Sequence, residues 1–565
     1  MLRSLVGSEM CIRDRLNINE KDILLTQDIK QLRSMNIWKP WKQTPSYKGE
    51  EKAESYNFFD ISSFFRFDTH RNALGVLSDQ TCSDLGFEDL FMFSDRTASR
   101  VGQQYLYNLM RIIPDKAGEI ERHEALINKL SSHPDLQEEL VKDLQILNTH
   151  EAYSIASLMG IGFPAVPLWR KILFRVCGFL PSFFLLLLYF YQAGAWLLLL
   201  IAAILVNGVI HYGNKPNNLN FLISIPQLIR LLNISGKLSK NPLFTELGKE
   251  VPEALSSLET LRKASGHLRM ESKMDSDLAV ILWAIMECVK IFFLAEPIAY
   301  HKVITLLKDK NRQIETVFRF VGLADSLSSV AFLRKSLPYF CLPEKPEGEV
   351  RMEAEEMFHP LLENCVANTI RIEGRSILFT GSNMSGKTTF IRTLGVNMLA
   401  AQTLHTAFAR RMQMKAPVMI HAALMLSDSL SDGKSFYLKE VESIRDMLSC
   451  SRSEHINLFL LDEIFKGTNT TERIAAAKAV LSYLNTSNNI VIVSTHDAEL
   501  GTFLKNEYDL YHFCETIAND ILSFDYKLKA GNLYQRNAIR ILEINDYPAT
   551  LIEDAYSVIR QIEGR

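Results

Sequence analysis

The residues best suited to chemistry lie between Gly381 and Thr389, where the sequence reads Gly-Ser-Asn-Met-Ser-Gly-Lys-Thr-Thr. Gly381 to Thr388 fits the pattern G-x-x-x-x-G-K-[ST], whose glycines let backbone N–H groups turn inward around a polyphosphate. In such a loop Lys387 would reach the β- and γ-phosphates and Thr388 would ligate Mg²⁺. The pattern therefore predicts ATP and Mg²⁺ as cofactors. The predicted nucleotide-binding residues are Gly381, Ser382, Asn383, Met384, Ser385, Gly386, Lys387, Thr388 and Thr389.

The segments on either side of this loop agree with that interpretation. Ile377–Thr380 is a short apolar run, typical of a buried parallel strand. Phe390–Ala401 continues with helical periodicity, so the loop would open a helix whose N-terminus adds partial positive charge. A chance match in a Gly/Ser turn would lack this strand–loop–helix context.

Two further apolar runs end in residues that would complete a hydrolytic site. Ile456–Leu461 precedes Asp462 and Glu463, which would hold Mg²⁺ and polarise the attacking water as a general base. Asn489–Ser494 is followed by Thr495 and His496, whose ring would hydrogen-bond the γ-phosphate or the water. The predicted catalytic residues are Lys387, Glu463 and His496, and the predicted metal ligands are Thr388 and Asp462.

A polar loop, 427–436, precedes a helical segment that bears Glu440. It resembles a signature loop that caps a nucleotide from the neighbouring subunit, and Ser435 would then bind the nucleotide in trans. The spacing fits an ordinary polar loop with a helix cap equally well. Both interpretations stay open at this point.

Length and composition set outer bounds. A chain of 565 residues indicates three or four domains. The net charge of −3 gives no overall nucleic-acid signature, although a local basic patch is compatible with it. The eight cysteines form no C-x-x-C pair, which argues against a zinc site or a disulfide framework and is typical of a reducing compartment. Residues 1–15 resemble a translated sequencing-adaptor artefact, and a signal peptide is disfavoured because no apolar core of adequate length follows Arg3.

An uncharged run of 35 residues, Val176–Ile210, interrupts the helical part of the chain. As one helix it would be ~52 Å long, whereas the hydrocarbon layer is only ~30 Å thick. Two spans near Ile172–Tyr191 and Ala193–Tyr212, with a turn at Gln192–Gly194, fit better. Aromatic residues flank the turn and basic residues flank the opposite ends, as expected for a cytoplasmic side: Tyr189, Tyr191 and Trp196, then Arg170, Lys171, Arg175 and Lys215. A buried hairpin of a soluble core is the alternative, but leucines lie on every face.

Helical patterning surrounds this hairpin. Ser94–Thr97 predicts an N-cap before the next helix, and Glu119–Leu147 predicts one amphipathic helix or a pair. Four helical segments are predicted after the hairpin: Phe221–Leu232, Leu255–Met270, Leu278–Phe293 and Ile304–Leu333. Glu287 and Lys290 make the third a packed core helix rather than a membrane span. Prolines between 338 and 346 predict a linker, with the nucleotide-binding domain beginning near Val350.

The motifs together resemble the MutS family. Gly381–Thr389, with its Asn383-Met384, is similar to the MutS-type P-loop, and Leu461–Asn469 is similar to the MutS Walker B strand and the loop after it. Phe358–Pro360 resembles the entry to the ATPase domain and Ser494–Asp497 its histidine switch. Two less specific segments, Asp95–Gly102 and Gly322–Ala331, look like core-domain helices. The resemblance spans roughly residues 77–555, interrupted by the hairpin.

The departures from the family pattern concern its DNA-reading parts. Residues 16–75 provide no mismatch-reading domain with a Phe-x-Glu wedge, and no nuclease module follows the ATPase domain. The position where many relatives stack an aromatic on adenine falls near Cys365 and Val366. Arg536–Ala538 stands where the family has Ser-Tyr-Gly. The resemblance therefore implies the MutS ATPase without its mismatch reader.

The predicted fold is an α/β P-loop (ABC-type) ATPase domain preceded by an all-α MutS-core-like helical domain that a transmembrane helical hairpin interrupts. The predicted parts are an artefactual segment 1–15, an arm 16–76, core helices 77–160, spans 172–212, core helices 220–345, and an ATPase domain 350–565 with C-terminal dimerisation helices. The resemblance implies a homodimeric ATPase that closes on DNA in repair. The hairpin places it at the inner membrane, facing the cytoplasm.

Two other functions are compatible with these motifs. One is an ABC-class membrane ATPase acting on a non-DNA partner, although two spans are too few for a conventional transport pathway. The other is a catalytically weak scaffold that uses nucleotide as a switch, which an intact Glu463 and His496 disfavour.

Overall fold

The computed structural model describes residues 55–69, 73–115, 118–160, 167–264, 277–382, 385–415, 417–424, 436–486, 488–518, 521–531 and 538–563. Segment 1–15, most of the predicted arm, Asn383, Met384 and Ser435 lie outside these ranges.

Short helices and one antiparallel strand pair form the chain before the hairpin. In order they are α1 (Phe58–Ile61), α2 (Ser63–Phe67), β1 (Ala73–Val76), α3 (Asp79–Leu85), α4 (Phe87–Ser94), α5 (Arg100–Arg111), β2 (Ile112–Pro114), α6 (Gly118–Ser132), α7 (Pro134–Leu144) and α8 (Ser154–Gly160). The amphipathic stretch Glu119–Leu147 is a pair of helices, because Pro134 occupies the first turn of α7 and lacks the N–H that would continue α6.

The charge-free run forms two helices, α9 (Leu168–Tyr191) and α10 (Gly194–Leu238), joined through Gln192. The most apolar windows of α9 and of Gly194–Gly213 have mean hydropathies of 2.0 and 2.1, and only 17% of each window is buried. Both are long enough and apolar enough to cross a bilayer. Helix α10 runs unbroken for 45 residues. The separate helix predicted at Phe221–Leu232 is therefore wrong, because that stretch continues the second half of the hairpin.

Four helices follow: α11 (Val251–Ala264), α12 (Asp277–Phe293), α13 (Ala295–Leu307) and α14 (Asn311–Ser336). The helix predicted at Ile304–Leu333 is divided, since the chain leaves the helix at Lys308 and Asp309 has a φ of +62°. Helix α14 is also apolar enough to span a membrane, but 83% of its most apolar window is buried in the protein, as befits a core helix. Helix α12 is confirmed as a helix, whereas its expected burial in a packed core is not, because Ile285, Val289 and Phe293 are exposed.

Helices α5 and α14 bring together the two segments expected to be core helices. A Cβ on Gly102 would lie only 2.0 Å from Oδ2 of Asp325, so glycine permits this close approach. The Asp325 carboxylate accepts hydrogen bonds from the backbone N–H groups of Ala98 and Ser99, each at 2.8 Å, and from the Ser99 hydroxyl at 2.6 Å. The N-cap of α5 is Ser99, so the cap predicted at Ser94–Thr97 is wrong.

The C-terminal part is a mixed helix-and-sheet domain. Its elements are β3 (Pro343–Glu344), β4 (Met352–Met357), β5 (Asn368–Ile372), β6 (Ser376–Gly381), α15 (Lys387–Thr403), β7 (Arg411–Met414), β8 (Val418–Ala423), α16 (Phe436–Cys450), β9 (Ile456–Asp462), α17 (Thr470–Leu484), β10 (Ile490–Thr495), α18 (Ala498–Leu504), β11 (Tyr508–Phe513), β12 (Glu515–Ala518), β13 (Ile521–Phe524), β14 (Lys529–Ala530), α19 (Ala538–Ile544) and α20 (Ala549–Glu563).

The main sheet has the order β14-β11-β6-β10-β9-β8, and only β14 pairs antiparallel. The three strands predicted at Ile377–Thr380, Ile456–Leu461 and Asn489–Ser494 are confirmed to within a residue as β6, β9 and β10. They are adjacent and parallel, so their carboxyl ends meet at one edge of the sheet, where α/β proteins bind ligands.

A smaller sheet has the order β3-β7-β4-β5. Pro343 and Glu344 pair with Met412 and Gln413, so part of the predicted proline linker belongs to this sheet. Helix α15 packs on the helical core as well, because Nε of Arg392 donates to the carbonyl oxygen of Asp84 at 2.8 Å. The helix after the phosphate loop is thus in direct contact with the helical core.

Candidate nucleotide-binding site

The phosphate loop connects the fully buried strand β6 to helix α15. Gly381 and Gly386 have φ values of +153° and +105°, which side chains disfavour. A Cβ on Gly381 would also lie 2.5 Å from the carbonyl oxygen of Phe513. Because α15 begins at Lys387, its first backbone N–H groups lack partners within the helix and face the loop, as anion binding requires. The glycines therefore shape the loop as the motif predicts.

Lys387 folds back over the loop. Its Nζ donates to the carbonyl oxygens of Gly381 at 2.8 Å and of Ser382 at 2.7 Å. Burial lowers the pKa of Lys387 to about 8, although the charges of Asp462 and Glu463 oppose that shift. An ammonium held here beside the loop's carbonyls lies within reach of a phosphate in the same cradle.

Thr388 and Asp462, the two predicted metal ligands, are in direct contact. Oγ1 of Thr388 donates to Oδ2 of Asp462 at 2.6 Å, and the Ser494 hydroxyl donates to the other carboxylate oxygen. One hydroxyl and one carboxylate are hard oxygen ligands that suit Mg²⁺, which usually completes its octahedron with waters and phosphate oxygens. The described residues contain no group of three or more His, Cys, Asp or Glu side chains that would hold a metal without such help.

Glu463 follows β9 in a left-handed conformation, with a φ of +50°. Its Oε1 lies 2.6 Å from Nε2 of His496, and its Oε2 lies 2.8 Å from Nζ of Lys466. Burial alone would raise the pKa of Glu463, but the hydrogen bonds from His496 and Lys466 lower it to about 2. The carboxylate is therefore ionised at neutral pH and accepts hydrogen bonds. The structure places the His496 ring against Glu463, so His496 contacts the predicted general base directly.

Glu440, on helix α16, supports the loop that carries Glu463. Its carboxylate accepts a hydrogen bond from the backbone N–H of Phe465, a residue that also has a positive φ, of +62°. Burial raises the pKa of Glu440, while hydrogen bonds from the backbones of Phe465 and Lys466 oppose the rise. Helix α16 begins directly after the predicted signature loop, so this contact joins that loop to the predicted base.

Tyr526 is a site residue that the sequence did not reveal. Its ring carbon Cδ1 lies 3.2 Å from the position that a Cβ on Gly386 would take, and 45% of the side chain is exposed. The side-chain amide of Asn368 donates both to the Tyr526 carbonyl at 2.9 Å and to the Val366 carbonyl at 3.1 Å. The segment near Cys365 and Val366, which lacks the expected aromatic, therefore lies beside an aromatic from another part of the chain. No local pattern around Tyr526 signals this, because the pairing spans 158 residues.

The structure thus gathers most of the predicted site at one sheet edge. Lys387, Thr388, Asp462, Glu463 and His496 lie together there through the contacts given above. Gly381, Ser382, Ser385, Gly386 and Thr389 belong to the described part of the loop and the start of α15, with Ser385 donating to the Ser382 carbonyl at 2.8 Å. Asn383, Met384 and Ser435 lie outside the described residues.

A parallel sheet with a glycine-framed loop after β6 and an acidic pair at the end of β9, the second strand along from β6, defines a P-loop ATPase domain. Residues 377–563 match the family model described as MutS domain V. The chain is 27% identical over 282 residues to MutS protein homolog 4 of Mus musculus, which covers 46% of this chain and 29% of that protein. It is 26% identical over 278 residues to the DNA mismatch repair protein MutS of Listeria monocytogenes, and the aligned region covers 47% of this chain and 32% of that protein. Residues 377–563 therefore form a domain of the MutS domain V type.

A third relative extends the aligned region. The DNA mismatch repair protein MutS 2 of Halobacterium salinarum is 23% identical over 322 residues, which cover 55% of this chain and 36% of that protein. The chain therefore spans about a third of the length of these curated relatives.

Proposed function

We propose that the protein is a Mg²⁺-dependent ATPase of MutS type, which couples ATP hydrolysis to closure of a homodimer on DNA. The observation that carries this proposal is the convergence of Lys387, the Thr388–Asp462 pair and the Glu463–His496 pair at one sheet edge. These groups match the parts that phosphoryl transfer needs: a phosphate cradle, a metal seat and a group that orients water.

In this proposal the roles follow from charge and position. The α15 N-terminus and Lys387 hold the β- and γ-phosphates, while Thr388 and Asp462 would hold Mg²⁺, which neutralises charge on the phosphate oxygens. Glu463 is ionised and accepts a hydrogen bond from the attacking water, so that a lone pair points at the γ-phosphorus. His496, 2.6 Å away, fixes the orientation of that carboxylate.

DNA is the proposed partner because two of the relatives are named DNA mismatch repair proteins. The contact of α15 with the helical core through Arg392 gives a route by which nucleotide state would reach the helices. A homodimer is proposed because the predicted signature loop would complete the site of a neighbouring subunit.

Membrane anchoring is the second part of the proposal. Helix α9 and the first part of α10 expose large apolar side chains that water would not favour, among them Leu186, Phe190 and Leu198. Basic residues flank their open ends, which supports the proposal that both soluble parts lie on the cytoplasmic side of the inner membrane.

DNA binding is the experiment that tests the proposed function. Full-length protein in lipid nanodiscs is titrated with homoduplex, mismatched and branched DNA across salt, with ATP and with ADP. We expect ATP-dependent binding that weakens with salt as phosphate contacts release counterions. Absence of DNA binding at low salt by protein that hydrolyses ATP would contradict it and favour a non-DNA partner.

Membrane anchoring is tested separately. Membranes from cells that make the full-length chain are washed with carbonate at high pH. We expect the protein to stay with the lipid, and its release into the soluble fraction would contradict the anchor.

A further inference from the structure

Helix α12 has its polar and apolar faces reversed relative to a soluble helix. Glu287 is buried, whereas Ile285, Val289 and Phe293 are 55%, 50% and 48% exposed. Residues four apart share one face of a helix, so these three form a continuous outward apolar stripe. A helix that packs in a soluble core shows the opposite arrangement, with apolar residues inside.

This stripe lies beside the proposed membrane hairpin. The side-chain amide of Asn207 in α10 donates to the Cys177 carbonyl in α9 and to the Phe292 carbonyl in α12, each at 3.1 Å. A Cβ on Gly178 would lie 2.4 Å from the Phe293 carbonyl oxygen, so α9 and the end of α12 touch backbone to backbone. The C-terminal end of α12 is therefore packed onto both hairpin helices.

The depth of this contact follows from helix geometry. Gly178 lies 13 residues before Tyr191 and Asn207 lies 13 residues after Gly194, which are the two ends of the hairpin turn. At about 1.5 Å per residue both are roughly 20 Å from the turn. In a hydrocarbon layer about 30 Å thick with the turn at the far surface, the end of α12 lies roughly 10 Å inside the near surface.

The chain turns back at that depth instead of crossing. Leu294, which is fully buried and has a φ of +49°, separates α12 from α13, and the two helices pack on each other. Non-helical backbone is tolerated at membrane depth only where protein covers it and satisfies its polar groups. Asn207 meets that condition by donating to the Phe292 carbonyl beside the turn. Gly178, which has no side chain, lets helix α9 cover the turn closely.

Ionisable side chains near this level face one another. Nε2 of His211 lies 3.1 Å from Oε1 of Glu287 and 3.8 Å from Oε2 of Glu296, and Nζ of Lys290 lies 3.6 Å from Oε2 of Glu287. Ionisable residues inside a bilayer are expected to point into the bundle and pair in this way. From the sequence, Glu287 and Lys290 indicate a soluble core helix. Because they point into the bundle, they are also compatible with lipid on the opposite, apolar face of α12.

We propose that α12 and α13 form a re-entrant helical hairpin, which enters the bilayer from the side where α9 begins. It presents Val289 and Phe293 to lipid acyl chains, while Ile285 lies at the headgroup level. The proposal rests on the membrane anchoring proposed above, because the depth is measured from the hairpin turn. The membrane domain then contains four helical segments, of which two span and two enter and return.

The experiment measures the surroundings of single nitroxide labels in full-length protein reconstituted into phosphatidylcholine–phosphatidylglycerol vesicles. Labels are placed at Ile285, Val289 and Phe293, with Leu198 as the lipid-facing reference and Phe503 as the aqueous one. Leu198 is 70% exposed on the hairpin and Phe503 is 61% exposed on α18 in the ATPase domain. Collision rates with oxygen, which dissolves in lipid, are compared with those of a water-soluble nickel chelate.

We expect Phe293 to resemble Leu198, with preference for oxygen falling stepwise through Val289 to Ile285. Nickel accessibility at Phe293 equal to that at Phe503, while Leu198 is lipid-like, would overturn the re-entrant hairpin alone. If Leu198 is also water-like, the anchor itself fails. Labels accessible to neither reagent would mean that protein covers the stripe, which also overturns the proposal.

A second measurement uses a conservative change that keeps the side chain aromatic. The additional fluorescence of Phe293→Trp, relative to the unaltered chain, should be quenched severalfold more by brominated lipid than that of Phe503→Trp. Equal quenching of the two variants would contradict lipid contact at Phe293.

Discussion

Nε2 of His496 lies 2.6 Å from Oε1 of Glu463, and Nζ of Lys466 lies 2.8 Å from Oε2 of the same carboxylate. Both oxygens of the proposed general base therefore already have a partner. A water aimed at the γ-phosphate must use a remaining lone pair of Glu463 or replace one partner. His496 and Lys466 thus set the orientation of this carboxylate, and substitution of Glu463 tests its role.

Replacing Glu463 should separate ATP binding from turnover. Glu463→Ala keeps the phosphate loop and Lys387, so ATP should bind with near-normal affinity while kcat falls roughly 10²- to 10⁴-fold, as for removal of one placed catalytic group. Lys387→Ala is the comparison, because it should abolish nucleotide binding itself. Steady-state hydrolysis and equilibrium binding of a fluorescent ATP analogue measure the two effects. Unchanged turnover in Glu463→Ala would exclude its role as base.

Tyr526 should contribute to binding the base of the nucleotide. Its exposed ring stands beside Gly386, and an aromatic stack is worth roughly 1 kcal/mol beyond area burial. Tyr526→Ala should therefore weaken ATP about fivefold, while Tyr526→Phe, which keeps the ring, should not. Inorganic tripolyphosphate has no base, so its affinity serves as the control. A matching loss for tripolyphosphate would mean that the substitution disturbs the phosphate loop instead.

The sequence predicted the local parts of this site and missed its long-range ones. Strands β6, β9 and β10 could be predicted because continuous apolar runs end in motif residues. Tyr526 could not, since its place beside Val366 depends on Asn368 pairing with a distant segment. Local pattern does not determine such a contact.

Helix α12 shows the same limit in another form. Its sequence contains Glu287 and Lys290, and composition alone indicates a soluble helix. Only the packing shows that Glu287 faces His211 of α10 while Val289 faces outward. Likewise, Gly213 and Pro216 lie between the second predicted span and the helix predicted after it, yet the two segments form one continuous helix, α10.

ATP affinity should fall as pH rises through about 8. The pKa of Lys387 is about 8 because of burial, so the free protein is increasingly neutral at this position above that pH. A bound phosphate favours the ammonium, and binding must then take up a proton, which costs up to about tenfold in affinity per pH unit. Affinity below pH 7 should be independent of this group. Calorimetric titrations from pH 6.5 to 9.5 measure the effect.

Lys387→Arg is the matched control for that profile. Arginine keeps its charge throughout the range, so the slope above pH 8 should vanish even if the affinity is lower. A slope that persists in Lys387→Arg would assign the titration to another group.

The contact between the helical core and the ATPase domain should weaken in acid. Glu124 of α6 binds Arg334 of α14 through two hydrogen bonds of 2.8 Å and lies 2.8 Å from Nδ1 of His405. Burial would raise the pKa of Glu124, but the hydrogen bonds from His405 and Arg334 lower it to about 2. Because the folded pKa lies below the ordinary value near 4.5, the stabilisation is complete above that pH and is lost as pH falls towards 2.

Glu124→Gln should therefore lower the Tm most at pH 7, less at pH 3, and little near pH 2. Thermal unfolding of the unaltered chain and the variant across this range measures the difference. The exposed pair Arg445 and Asp446 supplies a control, since Asp446→Asn should change Tm little at any of these pH values. A Tm difference between Glu124→Gln and the parent that is independent of pH would exclude the ion pair as its cause.

The active unit should be a dimer in which each ATP site is completed by the partner chain. Helix α16 begins directly after the loop that contains Ser435, and Glu440 on α16 holds the backbone of Phe465, two residues from Glu463. Docking of that loop on a partner's nucleotide would thus be transmitted to the base of its own subunit. Hydrolysis per protomer should rise with protein concentration, and a two-fold arrangement would make both sites equivalent.

Mixing two inactive variants, Lys387→Ala and Ser435→Arg, is the decisive measurement. In the mixed dimer one composite site carries both substitutions and the other carries neither, so a single intact site forms. Random mixing of equal amounts places about half of the protomers in mixed dimers, and roughly a quarter of the parental activity should return. Differently tagged chains, purified through both tags, confirm that the mixed dimer exists. If that dimer is as inactive as either variant alone, Ser435 belongs to an ordinary capped loop and the site is complete within one subunit.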